Sequence, residues 1–181
     1  MDEYYRQLVE KGDVKTLIES SKHGLQADSE EVAEQAQEAL VAIGGPAIRP
    51  LSEALSAFAF DARVAIAQQK GLEEEWDNGE PAAHWAVDRQ IRQLLNNGTP
   101  NPCMRPAITL ARIGQEAAQP LLECAEHGRD WLAREAAIKV LGHVADKRAI
   151  PVLKASIRLL RRDRVSMAAR RAIRAIKGRE G

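Results

Sequence analysis

Residues 130–153 read DWLAREAAIKVLGHVADKRAIPVL, and their apolar residues recur every three or four positions. This spacing places the apolar side chains on one face of an α-helix. The pattern stops at Asp146, and a second apolar series begins at Ile150. Pro151 then falls in the first turn of the next helix, where its missing N–H costs least. The segment therefore predicts a helix, a tight turn and a second helix.

The same unit recurs along the chain when the sequence is compared with itself. The equivalent positions are Val144, Ile113, Ile43 and Ile176 at the end of the first helix, and Pro151, Pro120 and Pro50 in the second. The shift of 70 residues from position 43 to 113 is about twice the 31 residues from 113 to 144, which predicts one divergent unit between them. We predict an all-α fold, an α-solenoid or superhelix of about five helix pairs, in a single domain over residues 1–181. Its units are 2–24, 28–58, 61–97, 102–128 and 130–162, followed by a final helix at 163–178.

The segment VLGHVADKRAIPVL, with Arg134 and the Ala136-Ala137 pair before it, resembles the HEAT-like repeat named after phycobilisome lyases. That family's pattern includes LG, D, RAVP and L, and it is met by Leu141-Gly142, Asp146, Arg148-Ala149-Ile150-Pro151 and Leu153. The resemblance implies an armadillo-like helical array with an extended concave surface, usually lined by the second helices. Proteins with this fold bind very different partners, so the resemblance names no partner.

Composition limits the class of protein. Hydrophobic residues make up 45% and charged residues 29%, which is typical of a soluble globular chain. The longest apolar stretch falls well short of the roughly 20 residues that span a membrane. Two cysteines are too few for a disulfide framework, and the N-terminus lacks the layout of a signal peptide. These features predict a cytoplasmic protein.

The zero net charge hides a gradient along the chain. Residues 1–100 hold 9 Lys/Arg and 18 Asp/Glu, whereas residues 147–181 hold 12 and 2. Helical spacing gathers these basic residues opposite the apolar stripes of the last two helices. We predict that they form one binding patch, which consists of Lys154, Arg158, Arg161, Arg162, Arg170, Arg171, Arg174 and Lys177.

Guanidinium groups bind carboxylates and phosphates alike, so the partner of this patch has three candidates. An acidic protein is favoured, nucleic-acid phosphate is the alternative, and the acidic half of a second copy would give self-association. A solvated face that caps the last repeat is the non-functional interpretation.

The divergent unit carries a second candidate surface. Its members are Glu73, Glu74, Glu75, Trp76, Asp77 and Trp85. These residues could recognise a basic partner or hold a cation loosely, or they could form a solvated loop with tryptophans that fill a gap. The run lacks the spacing of a calcium-binding loop, so no metal site is predicted.

The sequence offers few candidates for catalytic chemistry. Trp85, Asp88 and Trp131 resemble the aromatic cleft and carboxylate of alkylpurine DNA glycosylases built on this scaffold, and bilin lyases share the repeat. However, the chain has no phosphate-binding loop, nucleophile elbow or HExxH motif. Cys124 and His127 lack a second pair for zinc, and we expect Gly128 to end a helix in the left-handed conformation.

We therefore predict a non-catalytic interaction or scaffold module without a cofactor. The alternatives are a nucleic-acid-binding protein and an enzyme on a HEAT scaffold.

Overall fold

The computed structural model describes residues 1–22, 30–71, 85–144, 147–159 and 163–178. These ranges contain ten α-helices and no strand. The helices are α1 (Glu3–Lys11), α2 (Val14–Lys22), α3 (Glu30–Ile43), α4 (Gly45–Lys70), α5 (Trp85–Asn96), α6 (Met104–Ile113), α7 (Ala118–His127), α8 (Trp131–Val144), α9 (Ala149–Leu159) and α10 (Arg164–Gly178).

Local chemistry sets several helix ends. Gly12 and Gly71 follow α1 and α4 with φ of 64° and 62°, a conformation that glycine adopts without steric cost. Asp163 begins α10 by accepting a hydrogen bond of 2.7 Å from the backbone N–H of Ser166. Pro151 lies in the first turn of α9, as predicted. Asp163 and Pro151 therefore help to set where α10 and α9 begin.

One glycine behaves differently from the prediction. Gly128 follows α7 with φ −55° and ψ 126°, so the expected left-handed conformation is wrong. Glycine is needed there for another reason, because a Cβ would collide with the carbonyl oxygen of Cys124.

The helices pack in two layers. The first helices of the pairs lie side by side in the order α1, α3, α6, α8 and α10. The second helices, α2, α4, α7 and α9, pack in sequence behind them. The largest buried side chains lie between the layers, and they include Leu40, Leu55, Leu110, Leu141 and Leu153. The predicted all-α solenoid is confirmed.

The divergent unit does not lie where the sequence order places it. A unit boundary was expected at residues 58–61, but α4 runs through it, because residues 51–70 contain neither glycine nor proline. The second half of α4 pairs with α5, while α3 packs directly on α6 and α4 on α7. The pair formed by the second half of α4 and α5 therefore lies outside the regular stack of helix pairs.

Helix α5 crosses the beginnings of the first-layer helices. Near its start, Asp88 accepts a hydrogen bond of 2.9 Å from the indole Nε1 of Trp131, the first residue of α8. At its end, Asn96 Oδ1 lies 2.6 Å from Nη1 of Arg164, the first residue of α10. These contacts fix α5 along one edge of the array and leave the outer faces of α6, α8 and α10 open.

Candidate functional site

The outer side of α10 is a row of cations. Arg170, Arg171, Arg174 and Lys177 are exposed, while Val165, Ala169, Ala172 and Ile176 are buried. The helical spacing of the sequence therefore predicts correctly which of these side chains of α10 are exposed and which are buried. None of the four cations forms an ion pair with a described residue, and α10 contains no Asp or Glu that could screen them.

The rest of the predicted patch is only partly within the described residues. Lys154 is exposed on α9, which packs against α10. Arg161, Arg162 and the side chain of Arg158 lie outside the described residues. The second candidate surface lies outside them as well, namely Glu73, Glu74, Glu75, Trp76, Asp77 and the side chain of Trp85.

A groove of about 590 Å³ lies between α6, α8 and α10. Its floor is apolar and is formed by Ile108, Ala111, Val140, Ala168, Ala172 and Ala175. Small residues create the depression, because alanines stand where larger side chains would fill the space between neighbouring helices. At the same place Gly142 lets α8 approach α10, since a Cβ on Gly142 would lie 2.7 Å from Cα of Ala172.

The rim of the groove is cationic. Arg112, Lys139 and Arg171 line it from α6, α8 and α10, and no described carboxylate lines it. Lys139 Nζ lies 2.9 Å from Oε1 of Glu135, a residue that is 2% exposed and also accepts two hydrogen bonds of 3.1 Å from Arg164. Arg112 and Arg171 form no ion pair with the residues that the structure describes. Two positive charges without an ion pair to a described residue therefore line the groove from α6 and α10, beside its apolar floor.

A second cluster lies where α4, α5 and α8 meet. Arg63 is 1% exposed, and its Nη1 donates a 2.6 Å hydrogen bond to Asp88 Oδ1, while its Nε donates to Asp130. Burial alone would lower the pKa of Arg63, but hydrogen bonding and attraction to Asp130 and Asp88 raise it. Arg92 lies 5.3 Å from the ring of Trp131, in cation–π contact. The cluster joins three helices through paired charges.

Sequence reasoning found part of this cluster. It brought Asp88 and Trp131 together but missed Arg63 and Asp130. The spacing of the sequence could have predicted that Arg63 is buried, because it lies four residues from both Ala59 and Ala67 on the buried face of α4. Asp88 Oδ1 is already bound to Arg63 and Trp131, so this carboxylate acts as a structural ion-pair partner.

Burial affects the chemistry of both cysteine thiols. Burial raises the pKa of the Cys103 thiol, whose Sγ lies 3.2 Å from the carbonyl oxygen of Leu55. Burial likewise raises the pKa of Cys124 to about 11, so both are protonated at neutral pH. Within the described ranges no three His, Cys, Asp or Glu residues are placed to hold a metal ion. The described helices include none with the length and apolarity needed to cross a membrane.

Residues 90–176 match the family model of HEAT repeats. The match begins within α5 and extends into α10, so it includes all three helices that form the groove. It supports a HEAT-like repeat protein, whereas the phycobilisome-lyase type of repeat stays a prediction. HEAT-like arrays commonly act as protein-interaction scaffolds with extended binding surfaces. Neither a curated protein nor a solved structure matches the chain.

Proposed function

We propose that this chain is a non-catalytic interaction module that binds an acidic protein partner through its solenoid surface and the basic patch. That patch is the predicted one: Lys154, Arg158, Arg161, Arg162, Arg170, Arg171, Arg174 and Lys177. The observation that carries the proposal is the row of four exposed cations on α10 without an ion pair to any described residue.

Helical periodicity gives this row its directional character. Arg170, Arg174 and Lys177 follow at intervals of four and three residues, so they project from one side of α10. Like charges at this spacing repel one another, and a partner with carboxylates would relieve the repulsion. Arginine also makes bidentate contacts with carboxylates, which adds geometric specificity to the attraction.

Nucleic-acid binding is the alternative, since phosphates satisfy arginine equally well. Neither α9 nor α10 contains an aromatic residue for base stacking, which disfavours recognition of single strands. An enzyme on this scaffold is the second alternative, and the occupied carboxylate of Asp88 gives it little support. The free thiols Cys103 and Cys124 support a reducing compartment such as the cytoplasm.

The proposal is tested by fluorescence anisotropy with labelled polyglutamate at about 50 and 200 mM salt. We expect salt-sensitive binding that weakens at least tenfold in the Arg170→Glu, Arg171→Glu, Arg174→Glu triple variant. The matched control is Lys11→Glu, Lys15→Glu, Arg49→Glu, which changes the net charge equally at exposed positions elsewhere.

Two results would overturn it. One is an absence of polyglutamate binding at low salt, and the other is an equal loss in both triple variants. The nucleic-acid alternative would be established if duplex DNA binds more tightly than polyglutamate and its log affinity falls by about 5 per tenfold rise in salt. A slope of that size corresponds to about six phosphate contacts.

A further inference from the structure

The groove between α6, α8 and α10 combines two properties that the fold does not require together. Its floor leaves Ile108 39% exposed, although burial of such a side chain is favourable. Its rim places Arg112 and Arg171 on opposite sides without ion-pair partners in the described ranges. An occupant that satisfies both features needs an apolar ridge with acidic residues on either side.

The groove also lies in an unusual place for a HEAT-like array. It is formed by first helices of consecutive pairs, whereas the extended concave surface is usually lined by second helices. It is thus separate from the surface that the repeat resemblance implies.

The dimensions of the groove suit a helix. The groove is lined by residues 104–112 of α6, 139–143 of α8 and 168–175 of α10, so it is about 12 Å long at 1.5 Å per residue. A partner helix of about 8–10 residues covers that length. The alanines of the floor let a partner's larger side chains enter between α6 and α10, in the manner of ridges that pack into grooves.

We infer that this groove binds an amphipathic α-helix of an acidic protein partner. Leucine-like residues spaced three and four apart contact the floor, and carboxylates beside them pair with Arg112 and Arg171. The inference rests on the proposed function and adds to it an apolar anchor next to the basic patch. A nucleic-acid duplex offers phosphates but no apolar ridge, so it fits this groove poorly.

The probe is a labelled 15-residue peptide with leucines at positions 1, 5, 8 and 12 and glutamates beside them. A scrambled peptide of identical composition removes the apolar ridge, and a third peptide carries lysine in place of glutamate. We expect the amphipathic acidic peptide to bind at least tenfold more tightly than either of the others.

Ala175→Trp tests whether the floor is the contact, because Ala175 is exposed and lines the groove. The bulky ring occupies the groove, and we expect the dissociation constant of the amphipathic peptide to rise at least tenfold. Ala155→Trp is the matched control, since Ala155 is an exposed alanine on α9 that does not line this groove. We expect it to bind like the original chain.

Charge pairs of equal size test the rim. We expect Arg112→Glu with Arg171→Glu to weaken the amphipathic peptide at least tenfold more than Arg170→Glu with Lys177→Glu. Both pairs change the net charge by the same amount, but Arg170 and Lys177 do not line the groove. Urea denaturation of each variant establishes that it remains folded.

The outcomes separate the two proposals. Equal binding of the amphipathic and scrambled peptides, with no effect of Ala175→Trp, would overturn the inference that the groove binds a helix. Binding of polyglutamate would still support the basic patch in that case. Failure of every acidic probe would overturn both. Direct binding of labelled duplex DNA that is tighter than that of the amphipathic peptide and weakens at least tenfold in Ala175→Trp would assign the groove to nucleic acid instead and overturn the inference.

Discussion

Arg63 is a cation on the apolar face of α4, where its neighbours at four-residue spacing are Ala59 and Ala67. It persists there because Asp88 and Asp130 supply two carboxylates from α5 and α8. A buried charge is tolerated only when it is paired and hydrogen-bonded, so the three residues depend on one another.

Replacing Arg63 with alanine is expected to lower the free energy of unfolding by about 3–5 kcal/mol, because the largely buried carboxylates of Asp88 and Asp130 would lose their partner. Urea denaturation measures this change. Arg49→Ala is the matched control on the same helix, since its ion pair with Glu53 is exposed, and we expect a change below about 0.5 kcal/mol. Equal effects of the two substitutions would contradict the structural role of the cluster.

At the scale of elements, α8 and α10 approach closely because both present small side chains at their contact. Gly142 faces Ala172, and a Cβ added at Gly142 would lie 2.7 Å from both Cα and Cβ of Ala172, so no larger residue fits at position 142 without movement of one helix. This contact places α10, and with it the row of cations and one side of the groove. The Leu141-Gly142 pair thus has a packing role here.

Gly142→Ala is expected to destabilise the protein by about 1–3 kcal/mol, since the added methyl would overlap Ala172. This loss opposes and outweighs the roughly 1 kcal/mol by which alanine favours a helix interior. The control is Gly178→Ala in α10, where nothing lies within 4 Å of an added Cβ. A Gly142→Ala protein that matches the original chain in thermal and urea unfolding would show that the close approach is absent.

At the scale of the whole molecule, alkaline pH is expected to weaken the fold through its buried thiols. Both thiols ionise near pH 9.0 when unfolded, whereas in the fold burial raises the pKa of Cys124 to about 11 and that of Cys103 further. The stability from each raised pKa is full below pH 9 and is lost as pH rises, because the unfolded chain then releases protons that the fold retains.

Between pH 9 and 10 the free energy of unfolding should fall by about 1 kcal/mol for each thiol. Chemical denaturation at several pH values measures the slope. The variant Cys124→Ala removes one of the two contributions, so its slope should be about half as steep over this interval. An unchanged slope in that variant would contradict the assignment to the thiols.

The sequence predicted the structure of α10 better than the position of α5. For α10 the three- and four-residue spacing predicted which side chains are buried, and the structure agrees at Val165, Ala169, Ala172 and Ile176. For α5 the order of residues predicted a unit between α3 and α6, whereas those two helices pack on each other directly. Spacing reports one helix at a time and does not say which helices become neighbours.

The sequence by itself determined most of the helices, the buried face of α10 and the concentration of positive charge at the end of the chain. The reason is that helical periodicity and glycine or proline breaks act over a few residues. Only the tertiary structure decided that Arg63 meets Asp88 and Asp130, and that small residues of α6, α8 and α10 leave a groove with a cationic rim. These contacts join residues up to 67 positions apart, and they arise from how whole helices stack.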